Sequence, residues 1–179
     1  MALSALQHSL DFNRNDVYGE SISLNNFKGK KILLSFFRDA TCPFCHTRLF
    51  ELNFHKDKWK DQNLEVIAVF TSTDDKILKY VAKNPRPFRM IGDPELSIYQ
   101  QYGVNKSIKG VIKGMFFRLG KMFKGYLRGG SLATMLQPHP TIIPADFLIN
   151  EQGIIEQVWY GEDPSDHIAM EKINAFATS

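Results

Sequence analysis

The clearest hydrophobic pattern in the chain is a short apolar run that ends just before two cysteines. Six of the seven residues at 32–38 are apolar or small, and turn-forming residues follow them. Such a run is typical of a buried β-strand. Pro43 comes soon after, and its fixed φ suits the first turn of a helix. The pattern therefore predicts a strand, a tight turn and a helix that begins at Pro43.

The helix predicted from residue 43 to about residue 60 is amphipathic. Its apolar stripe is expected to face the core and its polar side chains to face outward. The stripe contains Cys45, Leu49, Leu52 and Trp59, and the outward positions are His46, Arg48, Glu51, His55, Lys56 and Lys58.

Alternating strands and helices are predicted along the rest of the chain. After a hairpin arm at residues 17–24, strands are expected at 64–70, 88–91, 144–149 and 154–159. Helices are expected at about 73–83, at 93–103 and at about 165–176. Residues 84–87 contain two prolines and are expected to end the first of these helices. This order predicts a single α/β domain over residues 1–179, a three-layer α/β/α sandwich with a mixed central sheet.

Residues 103–140 form an unusual basic segment within this frame. No Asp or Glu occurs between residues 97 and 145, whereas residues 104–128 contain seven cations and four glycines. At helical spacing the cations share one face with the glycines, and the apolar residues take the other face. The cations are Lys106, Lys109, Lys113, Arg118, Lys121, Lys124 and Arg128. We predict an inserted basic amphipathic helix. Because glycine weakens a helix, this one is expected either to be broken or to form only when it docks on a partner.

Two interpretations of this helix remain open. The first is a lid or a dimer-forming helix packed on the domain. The second is contact of residues 104–128 with a membrane surface or another anionic partner, because basic amphipathic helices with Phe and Met on the apolar side behave in this way. Nucleic acid is not an expected partner, since the aromatic residues lie on the apolar side rather than among the cations.

Composition adds few constraints. The 179 residues are 44% apolar and 23% charged, which is ordinary for a globular protein, and the net charge of +3 comes from the basic segment. No apolar run reaches the roughly 18 residues of a membrane-spanning helix. The first residues lack the basic and long apolar regions of a secretory signal, so the cytoplasm is the expected compartment.

The positions of the two cysteines predict their chemistry. Cys42 is expected at the N-terminus of a helix, where unpaired N–H groups and the helix dipole stabilise an anion. A thiolate is such an anion, so the pKa of Cys42 should be lowered. Cys45 lies one turn into the helix, close enough to attack a mixed disulfide on Cys42. This spacing between a strand and a helix predicts redox chemistry. Neither a cofactor nor a metal is predicted, because two thiols and scattered histidines do not supply four zinc ligands.

The motif Cys42-Pro43-Phe44-Cys45 after an apolar strand resembles the redox motif of the thioredoxin-like superfamily. Its surroundings resemble the peroxiredoxin-like (AhpC/TSA-type) proteins in particular. Residues 16–31 are similar to the opening hairpin of that group, and residues 143–155 are similar to its proline-led strand and final hairpin. The resemblance covers most of residues 12–178, apart from the stretch between residues 102 and 141.

This resemblance implies roles for individual residues. In a dithiol oxidoreductase of this fold, Cys42 attacks a disulfide, Cys45 resolves it, and a cis proline, here Pro144, lies against the first cysteine. In a peroxiredoxin, the attacking cysteine would be Cys45. The threonine that activates it would fall at Cys42, the proline at Arg38, and the arginine at or beside Pro144. Three of these four peroxidase features are therefore missing from the chain.

Three further side chains near the motif have two interpretations each. Arg38 is expected to pair with a carboxylate such as Asp39 or Asp146, or to supply positive charge to a thiolate. Thr41 is either a turn residue or a hydroxyl donor to the thiolate. Asp146 is either a buried proton carrier near Cys45 or a carboxylate at a strand end that faces solvent.

The residues together predict a thiol-disulfide oxidoreductase of the peroxiredoxin-like (AhpC/TSA) branch, with a role in redox homeostasis. The expected substrates are protein or small-molecule disulfides, and the expected electron donor is of the thioredoxin type or the glutathione type. One alternative is a thiol peroxidase that reduces hydroperoxides through Cys45 or Cys42. Another is a binding protein in which the cysteine pair is a redox switch and the basic helix contacts a membrane surface or a partner.

Overall fold

The computed structural model describes residues 2–82, 88–131, 133 and 136–179. Within these residues the strands are β1 (Asn13–Asn15), β2 (Ser21–Ser23), β3 (Lys31–Phe36), β4 (Leu64–Phe70), β5 (Arg89–Gly92), β6 (Ala145–Ile149) and β7 (Ile155–Tyr160). The α-helices are α1 (Pro43–Asp61), α2 (Asp74–Tyr80), α3 (Ser97–Gln101), α4 (Ile108–Phe117), α5 (Leu119–Leu127) and α6 (Met170–Thr178).

The central sheet has five strands in the order β5-β4-β3-β6-β7. β4 is parallel to β3 and β5, whereas β6 is antiparallel to β3 and β7. β3 lies in the middle with all six of its residues buried. A strand covered on both faces reads as a continuous apolar run, which is the pattern that predicted it. The mixed sheet and the α/β class are confirmed.

Two apolar cores cover the two faces of this sheet. Alternate side chains of β3 divide between the cores, with Leu33 on one face and Leu34 on the other. The core around Leu33 contains the predicted stripe of α1 together with residues of α6. The core around Leu34 contains Tyr99 of α3 and Tyr102. Helices on both faces produce the predicted three layers.

The last helix begins later than predicted. α6 begins at Met170 rather than near residue 165. The reason is a turn in which the Asp163 carboxylate accepts hydrogen bonds from the N–H and the hydroxyl of Ser165, both at 2.8 Å. Such local side-chain bonds compete with helix formation. The predicted stop of α2 at residues 84–87 lies outside the described residues.

The basic segment forms two helices rather than one. α4 and α5 meet at Arg118, whose backbone leaves the helical region at φ −120° and ψ 27°. The break thus falls at an arginine and not at one of the glycines. None of the helices in the described ranges combines the length and the apolar character that crossing a membrane requires. The treatment of residues 103–140 as an insertion within a single domain stays a prediction.

These two helices pack on the domain through their glycine side. A Cβ added to Gly125 would lie 1.8 Å from the Pro43 carbonyl oxygen, and one added to Gly114 would lie 2.6 Å from Cδ of Pro164. An amphipathic helix ordinarily packs through its apolar face. Here the missing Cβ atoms allow the backbone to approach more closely than a side chain would. Large apolar side chains on the opposite face are left exposed.

We expect Gly125→Ala to destabilise the protein, because its Cβ collides with backbone atoms of Pro43. The loss in free energy of unfolding should be roughly 1–3 kcal/mol, as for other overpacked sites. Gly120→Ala is the matched control in the same helix, since its Cβ meets open space. That control should gain up to about 1 kcal/mol from helix propensity. Equal urea midpoints for the two variants would contradict the close packing of α5 on α1.

Candidate active site

The two cysteines lie where the chain leaves β3 and turns into α1. Cys42 is the N-cap residue of α1 and Pro43 is its first residue, as predicted. The Cys42 N–H donates to the Asp39 carbonyl at 2.9 Å. Both thiols are free, and the exposed fractions of Cys42 and Cys45 are 0% and 1%. The dithiol is therefore a buried pair at the start of a helix.

Cys42 is surrounded by groups that stabilise a thiolate. Nη1 of Arg38 donates to Sγ of Cys42 at 3.5 Å. Burial raises the pKa of Cys42, but the hydrogen bond from the Cys45 thiol and the charge of Arg38 outweigh burial and lower the pKa to about 6. Backbone N–H groups of Cys45 and Phe44 act in the same direction. Cys42 is consequently mostly a thiolate at neutral pH.

Cys45 has the opposite environment. Burial raises the pKa of the Cys45 thiol well above its usual value, and the adjacent Cys42 sulfur raises it further. The charge of Arg38 favours the Cys45 thiolate but does not compensate for these two effects. Cys45 therefore keeps its proton and donates it in the hydrogen bond to Cys42.

Arg38 is not neutralised by a carboxylate in the part of the chain that the structure describes. Its Nη2 donates to the Pro140 carbonyl oxygen, and its Nη1 donates to Cys42. The predicted pairing of Arg38 with Asp39 or Asp146 is wrong, because each carboxylate has another partner. These partners are Lys76 for Asp39, at 2.6 Å, and His167 for Asp146, at 3.0 Å. The positive charge of Arg38 thus remains available to the Cys42 thiolate.

Asp39 and Thr41 organise the turn before Cys42. The Asp39 carboxylate accepts hydrogen bonds from the Thr41 N–H at 2.9 Å, the Thr41 hydroxyl at 2.5 Å and the Ser72 hydroxyl at 2.7 Å. Burial raises the pKa of Asp39, but the hydrogen bonds from Lys76 and the two hydroxyls lower it overall. Thr41 is therefore a turn residue, and its interpretation as a hydroxyl donor to the thiolate is wrong.

The start of α1 is covered by α5 and the residues that follow it. The Ser131 N–H donates to the Thr41 carbonyl at 2.7 Å, and the Thr47 hydroxyl donates to the Lys121 carbonyl at 3.1 Å. Gly130 also lies against Pro43, because a Cβ added to Gly130 would lie 2.5 Å from the Pro43 Cα. These contacts cover the start of α1, where both sulfurs are buried. A substrate therefore needs neighbouring residues to move before it reaches Cys42.

Asp146 lies in β6 opposite Ser35 of β3. The carboxylate is fully buried and accepts hydrogen bonds from the Ser35 hydroxyl, from Nδ1 of His167 and from the Ile168 N–H. Burial raises the pKa of Asp146, but the charge and hydrogen bond of His167 outweigh it, so the pKa is lowered. The interpretation of Asp146 as a solvent-facing carboxylate is wrong. Within the described residues its hydrogen-bond partners include neither cysteine.

The peptide bond between Ile143 and Pro144 is trans, so the cis proline implied by the resemblance is wrong. The trans form is favoured for X–Pro bonds by about 0.5–1 kcal/mol. Two backbone hydrogen bonds stabilise the observed loop. The Ile143 N–H donates to the Asn105 carbonyl at 3.1 Å, and the Pro144 carbonyl accepts from the Gly161 N–H at 2.9 Å. The same loop contacts Arg38 through Pro140.

Helical periodicity missed two residues of the site and gave no signal for a third. His46 and Arg48 were expected to face solvent, but both are buried. Nε2 of His46 lies 2.9 Å from the Ala40 carbonyl, and Arg48 donates to the Ile168 carbonyl at 2.8 Å. Tyr99 donates its hydroxyl to backbone carbonyls at the ends of β3 and β4. α1 is covered on more than one side, which a single apolar stripe does not reveal.

This fold and this buried dithiol define a thioredoxin-like protein. Residues 6–158 match the AhpC/TSA family, and the chain belongs to that family. Solved structures agree with the fold. BcpB, a peroxidoxin from Mycobacterium tuberculosis, superposes with a TM-score of 0.68 at 15% identity and covers 98% of this chain and 96% of its own. A candidate thiol:disulfide interchange protein DsbE from Chlorobium tepidum has a TM-score of 0.67 at 20% identity, with 100% of both chains covered.

Curated relatives are peroxiredoxins. Peroxiredoxin Bcp of Escherichia coli (strain K12) is 25% identical over 158 residues, which cover 87% of this chain and 85% of the relative. Peroxiredoxin Bcp of Bacillus subtilis (strain 168) is 23% identical over 169 residues, with 94% and 92% covered. The predicted family is confirmed, and the chain is a thiol-dependent redox enzyme. Family membership does not by itself assign roles to individual residues. The roles that the structure leaves open therefore stay predictions; the candidates are Cys42 and Cys45 as catalytic residues and Arg38, Thr41, Pro43, Pro144 and Asp146 as supporting residues.

The pKa of Cys42 is expected to depend on Arg38. Thiolate absorbance in the ultraviolet should titrate near pH 6 in the reduced protein. Arg38→Met should move the midpoint upward, toward the usual cysteine value of about 8.5, because a nearby cation is lost. Arg38→Lys should keep most of the shift, and Arg14→Met, at an exposed arginine of β1 that donates to Ser97, should leave the midpoint unchanged. An unchanged midpoint in Arg38→Met would refute the role of this guanidinium.

Asp146→Asn should lower the free energy of unfolding by about 1–3 kcal/mol at neutral pH, because buried partners lose a charged acceptor. The folded-state pKa of Asp146 is lowered. Its contribution is thus present above the unfolded pKa of about 3.9 and is lost as the pH falls through the folded value. The difference in urea midpoint between wild type and variant should therefore shrink in acid. Asp57→Asn, at an exposed position of α1, should have the same urea midpoint as the wild type at every pH. A difference in urea midpoint between wild type and Asp146→Asn that does not change with pH would rule out this linkage.

Proposed function

We propose that this protein is a thiol-disulfide oxidoreductase in which Cys42 is the nucleophile and Cys45 resolves the mixed disulfide. The observation that carries the proposal is the unequal environment of the two thiols. Burial raises the pKa of Cys42, but the hydrogen bond from Cys45 and the charge of Arg38 outweigh it and lower the pKa to about 6, whereas burial raises the pKa of Cys45. A nucleophile that is ionised at neutral pH beside a protonated partner is the arrangement that dithiol exchange requires.

The reaction follows from this arrangement. The Cys42 thiolate attacks one sulfur of a substrate disulfide, a Cys42–substrate bond forms, and the other substrate sulfur leaves as a thiolate. Cys45 then loses its proton and attacks Cys42, and the second substrate thiolate is released. The protein is left with a Cys42–Cys45 disulfide and the substrate is reduced by two electrons. Arg38 stabilises the Cys42 thiolate before it attacks, because its Nη1 donates to that sulfur.

The partners of this cycle are also proposals. Substrates are protein or small-molecule disulfides, and a thioredoxin-type or glutathione-type thiol returns the dithiol to its reduced form. The cytoplasm is the compartment where such reductants keep thiols reduced. The homodimer and the membrane-surface contact of residues 104–128 remain predictions about the exposed helices α4 and α5.

A second candidate function is the reduction of hydroperoxides. Membership in the AhpC/TSA family and the peroxiredoxin relatives favour it. The Cys42 thiolate would attack one peroxide oxygen, the O–O bond would break, and the departing oxygen would leave as an alcohol or water after protonation. The resulting sulfenic acid on Cys42 would react with Cys45 to form the disulfide and release water. In this chemistry too the pKa values favour Cys42 rather than Cys45 as the attacking residue.

Stopped-flow kinetics of the reduced protein against a disulfide peptide and against hydrogen peroxide test the proposal. Cys42→Ser and Cys45→Ser form a matched pair, since each replaces one sulfur by oxygen. We expect rapid disulfide exchange that is lost in Cys42→Ser and that stops at a mixed disulfide, detectable by mass spectrometry, in Cys45→Ser.

Other outcomes would overturn this assignment. Fast peroxide consumption with slow disulfide exchange, lost in Cys42→Ser, would favour the second candidate. Peroxide consumption that survives Cys42→Ser and disappears in Cys45→Ser would make Cys45 the attacking residue. Absence of reaction with both substrates in the folded, reduced protein would contradict both functions.

A further inference from the structure

α4 and α5 expose a large apolar face to solvent. Eight large apolar side chains on these two helices have exposed fractions between 52% and 80%. They are Ile108, Ile112, Phe116, Phe117, Leu119, Phe123, Tyr126 and Leu127. We name this set the α4–α5 surface. Single exposed apolar residues are ordinary, but a concentration of this kind marks an interaction site.

The orientation of the two helices is determined by the glycines on their other side. A Cβ on Gly110 would lie 2.2 Å from the Glu162 carbonyl oxygen, and the corresponding positions on Gly114 and Gly125 meet Pro164 and Pro43. Side chains as large as Ile112 or Phe123 cannot occupy places where a Cβ has no room. The apolar side chains therefore cannot turn inward while this packing persists, and the α4–α5 surface is a stable feature of the fold.

Cations lie on the same two helices as this surface, whereas acidic residues are absent from the segment. Residues 98–144 contain no Asp or Glu, and the seven cations of the basic segment lie within or beside the two helices. Lys113 and Arg118 pair with carboxylates of a neighbouring loop. Lys109, Lys121 and Lys124 are exposed. The resulting surface combines protruding apolar side chains with positive charge.

Arg128 connects this surface to helix α1. Its guanidinium carbon lies 3.9 Å from the centre of the Phe50 ring, and Phe50 is itself exposed. Phe54, one turn further along α1, is 81% exposed. The apolar and basic character therefore continues from α5 onto the neighbouring part of α1.

We propose that the α4–α5 surface docks this protein on the surface of an anionic lipid bilayer. Apolar side chains would enter the boundary between headgroups and acyl chains, and the flanking lysines would lie among anionic headgroups. The charge argues against a second copy as the occupant, because a symmetric dimer through this surface would bring two sets of cations together. α4 has ten residues and α5 has nine, so both are too short to cross a bilayer. Each helix would therefore lie along the bilayer surface.

Docking would bring the dithiol close to the bilayer. α5 lies directly on Pro43, between the two cysteines in sequence, and it contributes to the cover of the site. The docking contacts themselves involve neither thiol. Binding should consequently be the same for the double variant Cys42→Ser/Cys45→Ser, so that the docking proposal and the proposed function succeed or fail separately.

Sedimentation with lipid vesicles tests the proposal. We expect the 179-residue protein to bind vesicles of phosphatidylcholine and phosphatidylglycerol at low salt, to bind less at high salt, and to bind vesicles of pure phosphatidylcholine weakly. Lys121→Glu/Lys124→Glu should reduce the affinity by at least about tenfold, given that each surface cation contributes appreciably near an anionic membrane. Phe116→Ser/Phe123→Ser should reduce it similarly, because apolar burial is lost.

Matched controls separate docking from general effects. Lys28→Glu/Lys58→Glu makes the same change in net charge at two exposed lysines outside α4 and α5, one before β3 and one in the last turn of α1. Leu6→Ser removes another exposed apolar side chain. Both controls should bind as the wild type does. The fluorescence of Phe123→Trp should shift to shorter wavelength on vesicle addition, a readout that requires no loss of function.

Several results would contradict the proposal. Absence of binding to the anionic vesicles by the folded protein would do so, and so would equal binding of the Lys121→Glu/Lys124→Glu variant. A stable dimer that Phe116→Ser/Phe123→Ser dissociates, in a protein that does not bind vesicles, would assign the surface to a second copy instead.

Discussion

The site depends on one electrostatic constraint, which is that a sulfur anion has to be stable inside the protein. A buried charge is strongly unfavourable unless nearby groups compensate it. Here the compensation comes from Arg38, from the hydrogen bond of Cys45 and from backbone N–H groups at the start of α1. Arg38 can supply it because Asp39 and Asp146, the acidic residues expected to neutralise it, are paired elsewhere. The ion pairs around the site are therefore part of the electrostatics of Cys42.

The position of the first cysteine also explains how the chain departs from the peroxidase pattern of its family. Where that pattern has a threonine, this chain has Cys42, and it stands at the N-cap of α1. The groups that stabilise an anion at a helix start act most strongly within the first turn. The first cysteine therefore receives the stabilisation, and Cys45, one turn inside the helix, remains protonated. In the proposed mechanism, the nucleophile therefore stands one turn nearer the start of the helix than in the peroxidase pattern.

The glycine side of α4 and α5 links two properties of the molecule that the sequence presents separately. Close backbone packing at Gly125 and Gly130 brings a cover onto Pro43 and helps to bury the dithiol. The same packing turns the apolar side chains of both helices toward solvent. Val111 and Met122 point inward beside the glycine contacts, but the side chains at the opposite positions of both helices remain in solvent. The cover over the start of α1 and the exposed apolar surface are thus consequences of the same packing.

Local sequence pattern determined the order of most elements, the burial of β3 and the start of α1 at Pro43. These follow from apolar runs, from turn residues and from the fixed φ of proline, all of which act over a few neighbouring residues. The partners of Arg38, the burial of His46 and the trans state of Pro144 depended on residues distant in sequence, such as Pro140 and Gly161, which only the folded chain brings near. The outward orientation of α4 and α5 was likewise decided by tertiary structure. Periodicity identifies the two faces of a helix, but only the shape of the surface beneath it determines which face can make contact.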